Sequence, residues 1–190
     1  SGETFLLLNP DTQWDDGCFK ALEAHFCRHD ADILGLKQFA VSGDTQLSVG
    51  WEPTIVHETF RKFLQDGLNG DTSLAKNVLN ICQREDRRIS WVAGSALLTS
   101  RTLFESVGGF DERYFLYFED IDFCLRARRH GAEVAFCSSF SLIHHGGACA
   151  LTAKASSRQH YRDSQVLFFR EHGSWFARCA LPSKRDLNSS

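Results

Sequence analysis

Phe5-Leu6-Leu7-Leu8 runs straight into Asn9-Pro10-Asp11-Thr12. An apolar run this short, stopped by a turn signal, reads as a buried strand whose polar residues emerge at its C-terminal end. Phe19, Leu22 and Phe26 then recur at helical spacing behind Asp15-Asp16, a candidate cap, and the stretch from Asp32 to Val41 reads as a second strand. Strand, helix, strand in that order commits the chain to the α/β class. In open α/β sheets ligands gather beyond the carboxyl ends of the strands, so the polar cluster after Leu8 is a candidate ligand-binding position.

The remainder of the chain continues the pattern. Ser42-Gly43-Asp44 predicts a turn. A helical pattern follows at Val56, Phe60, Phe63 and Leu64 and stops near Gly67, and Leu74, Val78, Leu79 and Cys82 mark a further helical turn or two. Trp91 to Leu98 reads as a buried strand interrupted at Gly94, where a missing side chain permits close approach of a ligand or another backbone. Thr102 to Val107 fits a short helix ended by Gly108-Gly109. Glu119, Asp120 and Asp122 open another helix, and Arg126, Arg128 and Arg129 close it before Gly131, matching the helix dipole at both ends. Glu133 to Cys137 is a strand, Ser141-Leu142-Ile143 runs into His144-His145-Gly146-Gly147, and an amphipathic helix spans Ser157 to Glu171 with Tyr161, Phe168 and Phe169 inward. No internal repeat is present.

Composition removes several function classes. Twenty-one Lys and Arg against 24 Asp and Glu leave a formal charge of -3, so no global basic field draws in nucleic acid, and any anion site is local. Seven cysteines form no CxxC pair, and the odd count argues for a reducing compartment and small buried thiols over a disulfide framework. No stretch approaches the ~20 apolar residues of a membrane span. The chain contains no methionine and starts at Ser1, with Phe5 entering a strand without lead-in, which is the reading of a fragment.

Three polar clusters follow apolar segments: Asn9/Asp11, Glu119/Asp120/Asp122 and His144/His145. Carboxylates with an imidazole form the ligand set of a hard or borderline divalent ion such as Mg or Mn. Taken singly, each has a plainer reading as a turn residue, dipole compensation or a loop histidine.

Their order and wording change that balance. FLLLNPDT, WVAGSALLTSRTLFESVGGFDERYFLYFEDIDFCLRARRHG and LIHHGG closely resemble the family 2 glycosyltransferases, in particular the rhamnosyltransferase-like branch, from Phe5 to about Gly173. The resemblance implies a GT-A type fold, a mostly parallel sheet flanked by helices, and transfer of rhamnose or a similar hexose from a nucleotide-diphosphate sugar to a hydroxyl of a glycan or lipid-linked glycan. It implies that Asp11 holds a Mg or Mn ion on the donor diphosphate, with Asn9, an amide where the family motif carries a carboxylate, at most orienting it. It places Asp120 as the catalytic base, Glu119 as second candidate, His144 on the metal or diphosphate, and His145 as the fallback. Trp91, Gly94 and Tyr117 are expected near the acceptor sugar, although Trp91 and Tyr117 read equally well as core aromatics. Arg126, in the family's Leu-Arg pattern, is expected to form a structural ion pair.

The same resemblance implies one α/β domain over residues 1–173, with 174–190 as a tail, and a missing N-terminal half that would bind the nucleotide base. Three readings stay open. The chain is the catalytic C-terminal portion of a cytoplasmic transferase, feeble alone and in peripheral contact with the inner face of a membrane. Or it is a non-catalytic carbohydrate- or partner-binding remnant, dimeric through an exposed strand edge at Leu6 to Leu8. Or the Asp/His set serves a metal-dependent hydrolase.

Overall fold

The computed structural model describes residues 3–14, 19–52, 54–70, 72–145 and 154–173. Asp15-Asp16, Gly146-Gly147 and the tail from 174 lie outside the described residues. Among the described residues eight strands and six helices follow one another in the order β1 (Thr4–Leu8), β2 (Thr12–Gln13), α1 (Phe19–Phe26), β3 (Ile33–Phe39), β4 (Val49–Gly50), α2 (Ile55–Asn69), α3 (Ser73–Cys82), β5 (Arg87–Arg88), β6 (Trp91–Val92), β7 (Ala96–Ser100), α4 (Arg101–Val107), α5 (Glu119–Arg129), β8 (Val134–His144) and α6 (Lys154–His172). The main sheet runs β1-β7-β3-β8-β2, with β5 also on β8, and β4 and β6 form a separate pair.

The α/β class and the helix-flanked sheet are as expected, but the pairing is not mostly parallel. Only β3 and β8 run parallel; β1 and β3 both pair with β7 antiparallel, and β2 and β5 pair with β8 antiparallel. None of these antiparallel pairs is a tight hairpin: each joins strands from segments far apart in the chain, so strand direction is set by long-range pairing and not by the local turns.

Alternation along the strands divides the core between the two sheet faces. Ile33, Leu97, Val134 and Phe136 pack on one face against Phe123 of α5 and Phe168 of α6. Leu34, Leu98, Ala135 and Cys137 turn to the other face, where Leu22 and Phe26 of α1 cover them. Gly35 in β3 is obligatory, because a Cβ there would stand 2.3 Å from a methyl carbon of Val92.

Two sequence expectations change. The run from Trp91 to Leu98 is not one strand: it breaks at Ala93-Gly94-Ser95 into β6 and β7, which belong to different sheets. The helix through Val56 forms and continues past Gly67, yet of its apolar pattern Leu64 alone is buried. Val56 is 74% and Phe63 64% exposed, whereas Leu64 and Glu58 are buried. Glu58 turns inward because the Arg61 guanidinium and the Tyr161 hydroxyl satisfy its carboxylate there.

Candidate active site

The ends of β1 and β8 meet through β2. Thr12 pairs with His144, so Asp11 lies alongside the His144 ring, and the His145 backbone N–H donates to the Asp11 carbonyl at 2.9 Å. Asp11 Oδ1 stands 3.2 Å from His144 Nε2, and Asn9 Nδ2 stands 3.5 Å from the same nitrogen. His145 has an exposed side chain and joins this arrangement through its backbone N–H.

Gln46 sets the state of His144. Its Nε2 donates to the His144 carbonyl at 2.9 Å, which turns its Oε1 toward His144 Nδ1, also at 2.9 Å. An amide oxygen only accepts, so Nδ1 carries the ring proton and Nε2 presents a lone pair toward Asp11. Two electron-pair donors 3.2 Å apart require a proton or a cation between them. That separation fits adjacent corners of an octahedron with arms of about 2.1 Å, so the donor set suits a divalent ion whose remaining positions go to water and phosphate oxygens. Gln46 was invisible to motif reasoning. It lies in the irregular stretch after Gly43, brought back to β3 by its N–H bond to the Gln38 carbonyl.

The second half of the site is the start of α5. Tyr117 and Phe118 both hold positive φ, 68° and 70°, a conformation that costs non-glycine residues about 1–3 kcal/mol each. The strained pair turns the chain sharply so that Glu119 and Asp120 enter α5 facing a cavity. Phe118 is locked by burial against Tyr161 and Phe168, and the Tyr117 hydroxyl shares a 2.7 Å hydrogen bond with Ser157. Asp120 is clamped by two backbone N–H groups, Gly94 onto Oδ2 and Ile121 onto Oδ1, each at 2.8 Å. A Cβ at Gly94 would lie 3.3 Å from the Asp120 Cβ, tighter than ordinary contact, so a side chain there would press on Asp120.

Both carboxyls titrate high. Desolvation raises Asp120 despite the two N–H donors. Desolvation, reinforced by the Asp120 charge, pushes Glu119 up to about 7, and Glu119 Oε2 is buried with no hydrogen-bond partner among the described residues.

Asn9, His144, Trp91, Tyr117, Glu119 and Asp120 all line one cavity of about 610 Å³. Asp11 and Gly94 stand directly behind that wall, in contact with His144 and Asp120 respectively. Trp91 is 6% exposed and belongs chiefly to the core. Three residues that sequence patterns did not single out also face it. Gln38 is buried with an Nε2 that has no partner among the described residues, while its Oε1 accepts from Ser95; Arg61 and Lys76 reach the cavity as ion pairs with Glu58 and Asp44. Arg126 stays outside, as expected: it pairs with Asp122 at 2.7 Å and donates to the Val107 and Gly109 carbonyls.

Two carboxyl groups and a histidine paired with Asp11 thus meet at one polar cavity. The chain matches the family model for glycosyl transferase family group 2 over residues 4–183 and belongs to that family. Its helix-flanked α/β sheet is consistent with a GT-A type domain. It is 27% identical over 173 residues to the N-acetylglucosaminyl-diphospho-decaprenol L-rhamnosyltransferase of Mycobacterium tuberculosis (strain ATCC 25618 / H37Rv), covering 90% of this chain and 56% of that one. It is also 42% identical over 60 residues to the rhamnosyltransferase WbbL of Escherichia coli (strain K12), covering 32% and 23% of the two chains. Over 51 residues it is 39% identical to the low-salt glycan biosynthesis hexosyltransferase Agl10 of Haloferax volcanii, covering 27% and 17%. The chain thus spans about half the length of the M. tuberculosis relative. No helix among the described residues is long and apolar enough to cross a membrane.

Proposed function

We propose that this chain carries the catalytic, acceptor-side portion of a glycosyltransferase that moves rhamnose or a similar hexose from a nucleotide-diphosphate sugar to a glycan hydroxyl. The observation that carries the reading is the opposition, across one cavity, of His144 with Asp11 behind it and the clamped Asp120 with Glu119. One relative is named for transfer to N-acetylglucosaminyl-diphospho-decaprenol, which favours a lipid-linked glycan as acceptor here.

The residues divide the work. The acceptor oxygen attacks the anomeric carbon, the bond from that carbon to the diphosphate breaks, and the acceptor proton passes to Asp120. Clamped by Gly94 and Ile121, Asp120 spends little entropy on reaching a productive position, and its raised affinity for a proton makes it a better base than an exposed aspartate. Asp11 Oδ1 and His144 Nε2 would hold Mg or Mn, with Asn9 beside them and Gln46 fixing the imidazole. A bound divalent ion supplies charge against the leaving diphosphate. Tyr117 offers aromatic surface for an acceptor pyranose, with the buried Trp91 backing the cavity wall.

The test is sugar transfer by the full-length protein with Mn, a panel of nucleotide-diphosphate sugars and a glycan acceptor. Asp120→Asn is expected to lower kcat by at least about a hundredfold, the usual scale of a lost general base, with the fold intact by circular dichroism although one of the two clamping N–H groups loses its acceptor. Transfer retained in Asp120→Asn but lost in Glu119→Gln moves the base to Glu119. Sugar release with water alone, indifferent to acceptor, removes the transferase reading.

A further inference from the structure

We propose a second metal site, for zinc, formed by His25 of α1, Asp86 in the loop between α3 and β5, and Cys137 of β8. One ligand atom from each lies within 4.8 Å of the others. Nitrogen, carboxylate oxygen and thiolate sulfur together are a donor set that zinc accepts, and the sulfur disfavours Mg and Ca. The spacing agrees with that chemistry. Arms of about 2.3 Å to sulfur and 2.0 Å to nitrogen at a tetrahedral angle separate the two donors by about 3.5 Å. Cys137 Sγ and His25 Nε2 stand 3.5 Å apart.

The backbone around Cys137 is shaped to this cluster. β8 pairs with β3 regularly up to Leu36 opposite Cys137, and the next residue, Lys37, lies opposite Ser141. The interruption therefore holds Ser138, Ser139 and Phe140, and two of these residues serve the cluster. The Ser138 N–H and hydroxyl both donate to Asp86 Oδ1 at 2.7 Å, fixing the carboxylate and leaving its second oxygen outside those bonds. The Phe140 ring centroid sits 5.5 Å from that of His25. Bulges in central strands re-aim side chains, and donors fixing a ligating carboxylate are the usual second layer of a metal site.

Access and reach complete the case. Cys137 is buried on the α1 face of the sheet, while Asp86 is exposed, so an ion enters from solvent along the carboxylate. Three protein ligands leave the fourth tetrahedral position to water. Neighbouring His29 accepts the Ala31 N–H on Nδ1, and its ring centroid lies 5.5 Å from that of His25. The ion would tie together a helix, a loop and the strand that carries His144, and metal binding by the folded state alone raises stability.

The test uses the full chain, titrated with Zn2+ against a chromophoric chelator and, separately, with Co2+. The expected result is one zinc per chain, a higher melting temperature with zinc, and a thiolate-to-cobalt charge-transfer band in the near ultraviolet. Cys137→Ser should abolish the band, and Asp86→Asn and His25→Gln should each weaken zinc binding about tenfold or more. Asp86→Asn alters an exposed side chain, so it decides the matter if Cys137→Ser fails to fold. No charge-transfer band in the wild type, or the same band in Cys137→Ser, overturns the proposal, as does zinc affinity unchanged in Asp86→Asn and His25→Gln.

Discussion

Replacing Glu119 with glutamine is expected to stabilise the protein near pH 8 and to change little near pH 5. Burial beside Asp120 raises Glu119 from an ordinary 4.5 to about 7, so the folded state holds its proton more tightly than the unfolded chain does. Between those values the folded state binds more protons, and stability falls as pH rises. The contribution of this group is present in full below about pH 4.5 and is gone above about pH 7. A rise of roughly two and a half pH units is worth about 3 kcal/mol at about 1.4 kcal/mol per unit, and sharing with Asp120 and partial solvent access reduce it to about 1–2 kcal/mol. Glutamine has nearly the shape of the protonated acid and never carries the charge. Urea unfolding of both proteins at several pH values from about 5 to 8 measures the difference. A wild-type curve parallel to that of Glu119→Gln across the range refutes the claim that this carboxyl is held protonated by its surroundings.

Three further substitutions probe the supports of the site. Gly94→Ala places a methyl 3.3 Å from the Asp120 Cβ and should cut transfer by about 10- to 100-fold while costing about 1 kcal/mol in urea unfolding; full activity would separate Asp120 placement from catalysis. Gln46→Leu removes the acceptor for His144 Nδ1 and should weaken Mn binding about tenfold or more, read by electron paramagnetic resonance of free Mn, whereas unchanged affinity dismisses the role given to Gln46. Arg126→Ala strands the Val107 and Gly109 carbonyls and half of the Asp122 carboxylate, a loss of about 3 kcal/mol in urea; a loss under about 1 kcal/mol would mean that His172 alone satisfies Asp122.

Local signals carried much of the fold. The α5 helix, with acids at its start and arginines at its end, and α4, closed by Gly108 at φ 86°, stand where capping and dipole arguments put them. Those signals depend on neighbours in sequence, so they survive without knowledge of the tertiary structure. The buried face of α2 did not, because Glu58 is held by Tyr161, 103 residues away. A hydrophobic period cannot register a partner at that range.

What the amino-acid order determined by itself was the α/β class, the helix ends and the chemistry-bearing clusters at Asn9/Asp11, Glu119/Asp120 and His144/His145, since turns, caps and motifs are short-range. Tertiary structure decided how those clusters act. The Thr12–His144 register sets Asp11 against an imidazole whose tautomer Gln46 selects, and the break at Gly94 lets its backbone N–H reach Asp120. It also brought His25, Asp86 and Cys137 together from three separate segments. Strand registers and buried charges arise from contacts between residues far apart in the chain, and no window along the sequence contains both partners.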